Sequence, residues 1–215
     1  MTDTPPDRLR SSANQPATDG GETVPDPAAY DAIVYDLDGT LVELAVDWES
    51  VAAAVLEVYA ANAVKPPTTG LWELLEAAEG YGIHDPVEEA IALHERPGAR
   101  ESMLLPLGER LSTAQTDDSD ASDGPPVGVC SLNCEDACRI ALDTHDLADA
   151  VVSDAVVGRD TVGTRKPEPE SLLAAVDRLD AEPEHALFVG DSETDAIAAR
   201  RAGVDFVWVS ALLDR

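Results

Sequence analysis

Apolar residues along this chain follow two rhythms. Short uninterrupted apolar runs alternate with longer stretches in which they recur every three or four positions. The first run, Ala32-Ile33-Val34-Tyr35, is bounded by the turn pair Asp38-Gly39 and reads as a strand buried on both faces. Runs at Val127-Gly128-Val129-Cys130, near Ala150-Val151-Val152, in ALFVGD and in VDFVWVS predict four further strands. Between them, helical spacing appears over 134–146, in PEPESLLAAVDRLD, and in SETDAIAARRAG, which Gly203 ends. Strands alternating with helices predict an α/β fold built on a doubly wound, Rossmann-like parallel sheet. In such sheets ligands bind at the carboxyl ends of the strands.

From about residue 45 to 95 the pattern is helical only. Asp47 is placed to cap WESVAAAVLEVYAANA, which Lys65-Pro66-Pro67 ends. A second helix fits LWELLEAAEG, stopped at Gly80, and a third fits DPVEEAIALHE, with Asp85 as N-cap and Pro86 at its first position. The expected organisation is a helical insertion at 45–95 within a core of 28–44 and 96–215. After Pro97-Gly98 a further helix is expected through MLLPLGERLS, and TDDSDASDGPP reads as an exposed loop with a solvated charge run. Residues 1–27, rich in Pro, Thr, Asp and Gly and without periodicity, predict a disordered acidic tail.

Length and charge refine this picture. The 215 residues suit one domain carrying a small insertion, and 44% hydrophobic residues are enough for a core. Acidic residues outnumber basic ones 43 to 14, a formal net charge of −29, and Lys65 and Lys166 are the only lysines. The acids are spread through the chain, which points to a protein working in high salt, where self-repulsion is screened. The same charge argues against nucleic acid or an anionic membrane as partner. No run of about 18 apolar residues predicts a membrane span, and MTDTPPDRLRSS lacks an apolar signal core. Cys130, Cys134 and Cys138 form no even disulfide framework; Cys134 and Cys138, four apart, could offer two zinc ligands, but no matching His or Cys pair follows and they read as small buried hydrophobes. The expectation is a cytoplasmic monomer or small homo-oligomer.

Four clusters of reactive side chains fall at predicted strand ends. Asp36 and Asp38 follow the first strand with Gly39 behind them, where the backbone can turn sharply away. One such carboxylate can attack phosphorus while its neighbour acts as general acid and base, although turn chemistry alone explains Asp38-Gly39. Ser131-Leu132-Asn133 ends the second strand and offers a hydroxyl and backbone N–H groups to a phosphate oxygen, or a plain helix cap. Lys166, in Arg165-Lys166-Pro167-Glu168-Pro169, offers a compact ammonium against a phosphoryl group and the Asp36 carboxylate. Asp191-Ser192-Glu193-Thr194-Asp195 ends the fourth strand with hard oxygens suited to Mg²⁺, or with a helix cap; both can hold together.

Taken in order, these four clusters resemble the motif set of the haloacid dehalogenase superfamily: DLDGTLV, the Ser131 turn, Lys166 with KPEP, and GDSETD. The resemblance spans about residues 28–215 and includes the phosphoglycolate phosphatase-like members with a small helical cap, which the 45–95 insertion resembles. It implies that Asp36 is the nucleophile and Asp38 the general acid/base. It also implies that Mg²⁺ is held by Asp36, the Asp38 carbonyl and Asp191, and that Ser131 and Lys166 grip the phosphate. Asp195 is then a support for Lys166 or for a metal-bound water, with Gly39 and Thr40 shaping the first turn. Family members often carry Asn directly after the second-motif hydroxyl residue; here Leu132 intervenes before Asn133. The implied activity is hydrolysis of a small phosphate monoester through an aspartyl-phosphate. A phosphomutase using the same two aspartates, or a phospho-accepting regulatory protein without turnover, stands as the alternative. Trp48 and Trp72 lie in the insertion and read as packing residues rather than pocket walls.

Overall fold

A computed structural model describes residues 24–116 and 124–214. Its centre is β1, Ala32–Tyr35, in which every residue is buried. On one side β1 pairs with β4 (Val127–Cys130), on the other with β6 (Ala186–Gly190), both parallel. β5 (Val156–Val157) and β7 (Asp205–Trp208) extend the sheet to the parallel order β5-β4-β1-β6-β7. A strand flanked on both edges and both faces must be apolar throughout, and AIVY is.

Side-chain alternation sorts the sheet residues into two cores. Ile33, Tyr35, Leu187 and Val189 pack with Ala137, Cys138 and Ala141 of α5 (Glu135–Thr144). Ala32, Val34 and Phe188 pack on the other face with Leu172 and Val176 of α6 (Glu170–Asp177) and with Ala199 of α7 (Glu193–Ala202). Helices on both faces make this the doubly wound α/β arrangement that the pattern predicts. The chain closes with α8 (Val209–Leu213).

α1 (Trp48–Ala61), α2 (Leu71–Gly80) and α3 (His84–Arg100) share a separate apolar cluster of Val51, Val55, Tyr59, Leu74, Leu75 and Ile91. Asp47 caps α1 by accepting from the Glu49 N–H at 3.1 Å. No helix among the described residues is long and apolar enough to cross a membrane.

Four local expectations change. The third strand is Val156–Val157 rather than Ala150–Val152, whose neighbourhood is two 3-10 turns, Ala148–Ala150 and Ser153–Ala155. Val156 and Val157 each bury into opposite cores, whereas Val152 is 38% exposed, so only the later pair can sit inside the sheet. α3 runs through Pro97-Gly98 to Arg100. Pro97 removes only the bond to the carbonyl of Leu93, an exposed position. A Cβ at Gly98 would lie 2.9 Å from the Ala45 carbonyl, so glycine permits the close approach of that segment. Asp85 lies within the first turn of α3, with Ile83 at the cap position. Met103–Leu104 is not helical: it forms β3, antiparallel to β2 (Val42–Glu43), and helix α4 (Pro106–Thr116) starts on its proline. The tail expectation for 1–23 and the acidic loop at 117–123 lie outside the described residues; from Val24 onward the chain is described, with Asp26 capping a 3-10 turn at Pro27–Ala29.

Candidate active site

β1 delivers Asp36 one residue past its last strand position, its N–H bonded to the Val189 carbonyl at 2.8 Å. The chain then turns on itself. The N–H groups of Leu41 and Val42 both donate to the Leu37 carbonyl, and Gly39 N–H donates to Val42 O at 2.8 Å. Gly39 has φ +85°, and a Cβ there would overlap the Asp191 carboxylate. Glycine is therefore needed twice, for the left-handed backbone and for the approach of β6's end to β1's end. Asp38 accepts from the Leu44 N–H at 2.8 Å, and Thr40 is fully buried within the turn. Burial pushes the Asp38 carboxyl up to about 6, against the pull of the Leu44 N–H.

Lys166 is buried and all three of its protons are used. Its Nζ lies 2.7 Å from Asp36 Oδ1, 2.6 Å from Asp195 Oδ1 and 2.9 Å from the Cys130 carbonyl, the last residue of β4. Burial works against this ammonium, but Asp36 and Asp195 outweigh it and hold it protonated, above its usual range. Asp195 is in turn fixed by a capping box at the start of α7: its Oδ2 accepts from the Ser192 N–H at 3.1 Å and hydroxyl at 2.6 Å. Capping of α7 and the contact with Lys166 thus coexist in Asp195.

One lysine does not balance the carboxylates here. Oxygens of Asp36, Asp191 and Asp195 lie within 4.8 Å of one another. Burial, followed by the neighbouring carboxylate of Asp195, pushes Asp191 up, and burial with both neighbours acts in the same direction on Asp36. Asp195 is taken by Lys166 and Ser192, while no ion pair forms on Asp191 among the described residues. The residual charge and the hard oxygen donors of Asp36 and Asp191 fit a small divalent cation.

Opposite Asp36, Ser131 is buried at the end of β4, its N–H on the Val157 carbonyl at 2.9 Å. Its hydroxyl accepts from both the backbone N–H and the side-chain amide of Asn133, each at 3.2 Å. Asn133 is buried, and its side-chain oxygen has no hydrogen-bond partner. Leu132 thus acts as a spacer that leaves Asn133 in the site.

All these groups except Gly39, Thr40 and Asp195 line one cavity of about 580 Å³, which Trp48, Leu71, Trp72, Leu132 and Ser192 complete. Both tryptophans therefore wall the cavity, their ring centroids 6.2 Å apart; Trp72 also packs on the apolar cluster of α1–α3, as expected of it, whereas Trp48 joins no such cluster among the described residues. Arg159 has no part in the sequence reading, yet it joins the insertion to this loop. Its guanidinium pairs with Glu88 and Glu95 of α3 and donates to the Leu132 carbonyl, and its N–H bonds the Asn133 carbonyl at 2.9 Å. Its signal is positional: it stands just past the end of β5, as Asp36, Ser131 and Asp191 stand past β1, β4 and β6.

Comparison with known proteins agrees with this architecture. The family model described as haloacid dehalogenase-like hydrolase matches residues 121–209. A Rhodospirillum rubrum phosphoglycolate phosphatase is 43% identical over 90 residues, 42% of this chain and 36% of that protein. An Aquifex aeolicus phosphoglycolate phosphatase is 31% identical over 179 residues, 80% of each chain. Among solved structures, CbbY from Rhodobacter sphaeroides in complex with phosphate superposes with a TM-score of 0.57 at 22% identity, covering 83% of this chain and 85% of that one. A Lactobacillus plantarum protein reaches a TM-score of 0.59 at 23% identity, covering 86% and 89%. With similarity extending over four-fifths of a relative and the fold shared, the chain belongs to the haloacid dehalogenase-like hydrolase family.

Proposed function

We propose that this chain is a phosphatase that hydrolyses a small phosphate monoester through an aspartyl-phosphate on Asp36. The observation that carries the reading is the Lys166 ammonium held between Asp36 and Asp195, on the cavity into which Asp38 also faces. Asp36, Asp191 and the Asp38 carbonyl would hold Mg²⁺, which when bound supplies positive charge for the meeting of two anions.

The remaining chemistry belongs to the side chains. Lys166 lowers the repulsion between the Asp36 carboxylate and the phosphoryl oxygens, and Asp195 keeps the ammonium in place. The Ser131 hydroxyl and the Asn133 amide, buried and already bonded to each other, orient those oxygens for in-line attack. An Asp36 oxygen bonds to phosphorus as the ester P–O bond breaks, and Asp38 gives its proton to the departing alcohol. Asp38 then takes a proton from water as that water attacks phosphorus, the bond to Asp36 breaks, and inorganic phosphate leaves. The raised position of Asp38 suits a group that must hold a proton in one half and release it in the other. The helices α1–α3, residues 45–95 with the last turn of α3 beyond, act as a cap that excludes water.

The names of the relatives, phosphoglycolate phosphatase, support the reaction class. So does the structure of a CbbY mutant in complex with xylulose-(1,5)bisphosphate, which has a similar fold. The test is phosphate release from an aryl phosphate with Mg²⁺, by the wild-type chain and by Asp36→Asn. The variant should lose at least about a thousandfold in kcat with an unchanged fold by circular dichroism. Acid quench of the wild type during turnover should trap acyl-phosphate on Asp36. Normal turnover by a folded Asp36→Asn variant would refute the assignment, and transfer of phosphate to a second alcohol in place of its release would favour the mutase.

A further inference from the structure

The cavity has two unlike walls. Around Asp36 it is polar and charged; across from it, Trp48 at the start of α1 and Leu71-Trp72 at the start of α2 present an apolar face, with Leu132 beside them. The indoles are tilted at 59° to one another and form a corner.

Packing accounts for only part of that corner: Leu71 and Trp72 rest on the apolar cluster of α1–α3, while Trp48 does not. Trp48 belongs to none of the apolar clusters and is 37% exposed, a large apolar group left facing open space. Trp72 is held from two sides. The Arg159 guanidinium sits 5.5 Å from its ring centroid, and Arg165 Nη2 donates to its carbonyl at 2.9 Å. A rigid indole beside an exposed one, both on the cavity, is a surface for another ring.

The charge distribution restricts that ring's substituents. Among the described residues Lys166 is the only cation lining the cavity, and its protons are spent on Asp36, Asp195 and the Cys130 carbonyl. Neither Arg159 nor Arg165 lines the cavity: Arg159 faces the pair Glu88 and Glu95, and Arg165 stands 3.6 Å from Glu76. A carboxylate on the leaving group would meet the apolar wall of Trp48, Leu71, Trp72 and Leu132, which carries no cation among the described residues. The cavity volume of about 580 Å³ leaves room for a ring beside the phosphoryl group.

We infer that the site takes phosphate monoesters whose leaving alcohol is uncharged and carries a ring, sugar or aromatic, that lies against Trp48 and Trp72. Leaving groups bearing a carboxylate are disfavoured, so the preferred substrate differs from the one in the relatives' name. This rests on the phosphatase reading for where the phosphoryl group sits, and the test separates the two.

Its first arm is steady-state kinetics on phenyl phosphate, ribose 5-phosphate and 2-phosphoglycolate at fixed Mg²⁺ and KCl. The two ring esters should exceed phosphoglycolate in kcat/KM by about tenfold or more, the scale of ring stacking plus an unpaired charge. Trp48→Ala and Trp72→Leu should raise KM for the ring esters by about fivefold with little change for phosphoglycolate. The second arm is binding to Asp36→Asn, followed by calorimetry and tryptophan fluorescence. Phenyl phosphate should bind more tightly than phosphoglycolate and alter the emission. Preference for phosphoglycolate in either arm, or equal losses on all esters in the tryptophan variants, overturns the inference. If no ester is turned over while Asp36→Asn still binds the ring ester preferentially, the phosphatase reading fails and the ligand class stands.

Discussion

Gly39 links two parts of the site through one missing atom. Its φ of +85° costs a residue with a Cβ roughly 1–2 kcal/mol, and the added carbon would displace the Asp191 carboxylate. Gly39→Ala should therefore lower kcat/KM by about a hundredfold, since a displacement of about 1 Å at a catalytic centre has that effect. It should lower Tm by only a few degrees. Gly80→Ala is the control: nothing lies within 4 Å of a Cβ there, and the exchange should leave activity unchanged. A Gly39→Ala enzyme with wild-type kinetics would show that Asp191 has no fixed task. A second expectation concerns Asp191 itself. Asp191→Ala should raise the Mg²⁺ concentration for half-maximal activity at least about tenfold, and an unchanged magnesium titration would place the metal elsewhere. The side chains gathered here were legible in sequence because they are the types phosphoryl transfer would call for: paired aspartates, a lysine in a chain nearly free of lysine, and a second acidic cluster. Asn133 was not, because Ser131 and Asn133 are equally good cap residues, and only the buried, unpartnered amide oxygen distinguishes the roles. Trp48 was misread for a related reason, and the cavity-facing side of Trp72 was missed: helical spacing says that a face is apolar but not whether that face meets a core, a cavity or both.

At the scale of elements, sheet order brings the residues together. β4, β1 and β6 are neighbours and parallel, so Ser131, Asp36 and Asp191 emerge side by side from strands far apart in sequence. This much followed from alternating strand and helix patterns. The displaced third strand did not, because Val151-Val152 and Val156-Val157 are equivalent as local patterns and differ only in what covers them. Nor did the continuation of α3, because Pro97-Gly98 is a strong break signal that close packing on Ala45 overrides. That continuation matters, since α3 carries both Glu88 and Glu95 to Arg159, and Glu95 also accepts from the Cys134 N–H at 3.1 Å. Removing the arginine leaves two carboxylates with no counter-charge. Arg159→Met should destabilise the fold by about 3–5 kcal/mol. Adding Glu88→Gln and Glu95→Met should restore much of that loss. A singly substituted protein that melts like wild type would show that the joint between α3 and the Ser131–Asn133 loop is held by apolar packing alone.

Across the whole molecule the dominant quantity is a net charge of −29 on 215 residues. Part of its buried share is compensated locally: Lys166 is shared by Asp36 and Asp195, and Arg159 faces Glu95. Most of the remainder sits on the surface, where the few visible pairs, such as Arg96 with Glu89 and Arg201 with Glu168, contribute little each. Unscreened, these charges repel one another and repel an anionic ester approaching the cavity. Salt shortens the screening length from about 10 Å at 0.1 M to about 3 Å at 1 M. Both penalties then fall. The contacts of Lys166 at 2.6 and 2.7 Å lie inside any screening length and away from water, so they should change little. The expected outcome of a KCl series is a Tm and a kcat/KM that rise together toward molar salt, with kcat nearly constant. Steady-state kinetics and thermal melts on the same samples separate the two effects. A rise in Tm without a rise in kcat/KM would confine the charge to a role in folding. A Tm that stays flat or falls would mean that the acidic surface is not an adaptation to salt.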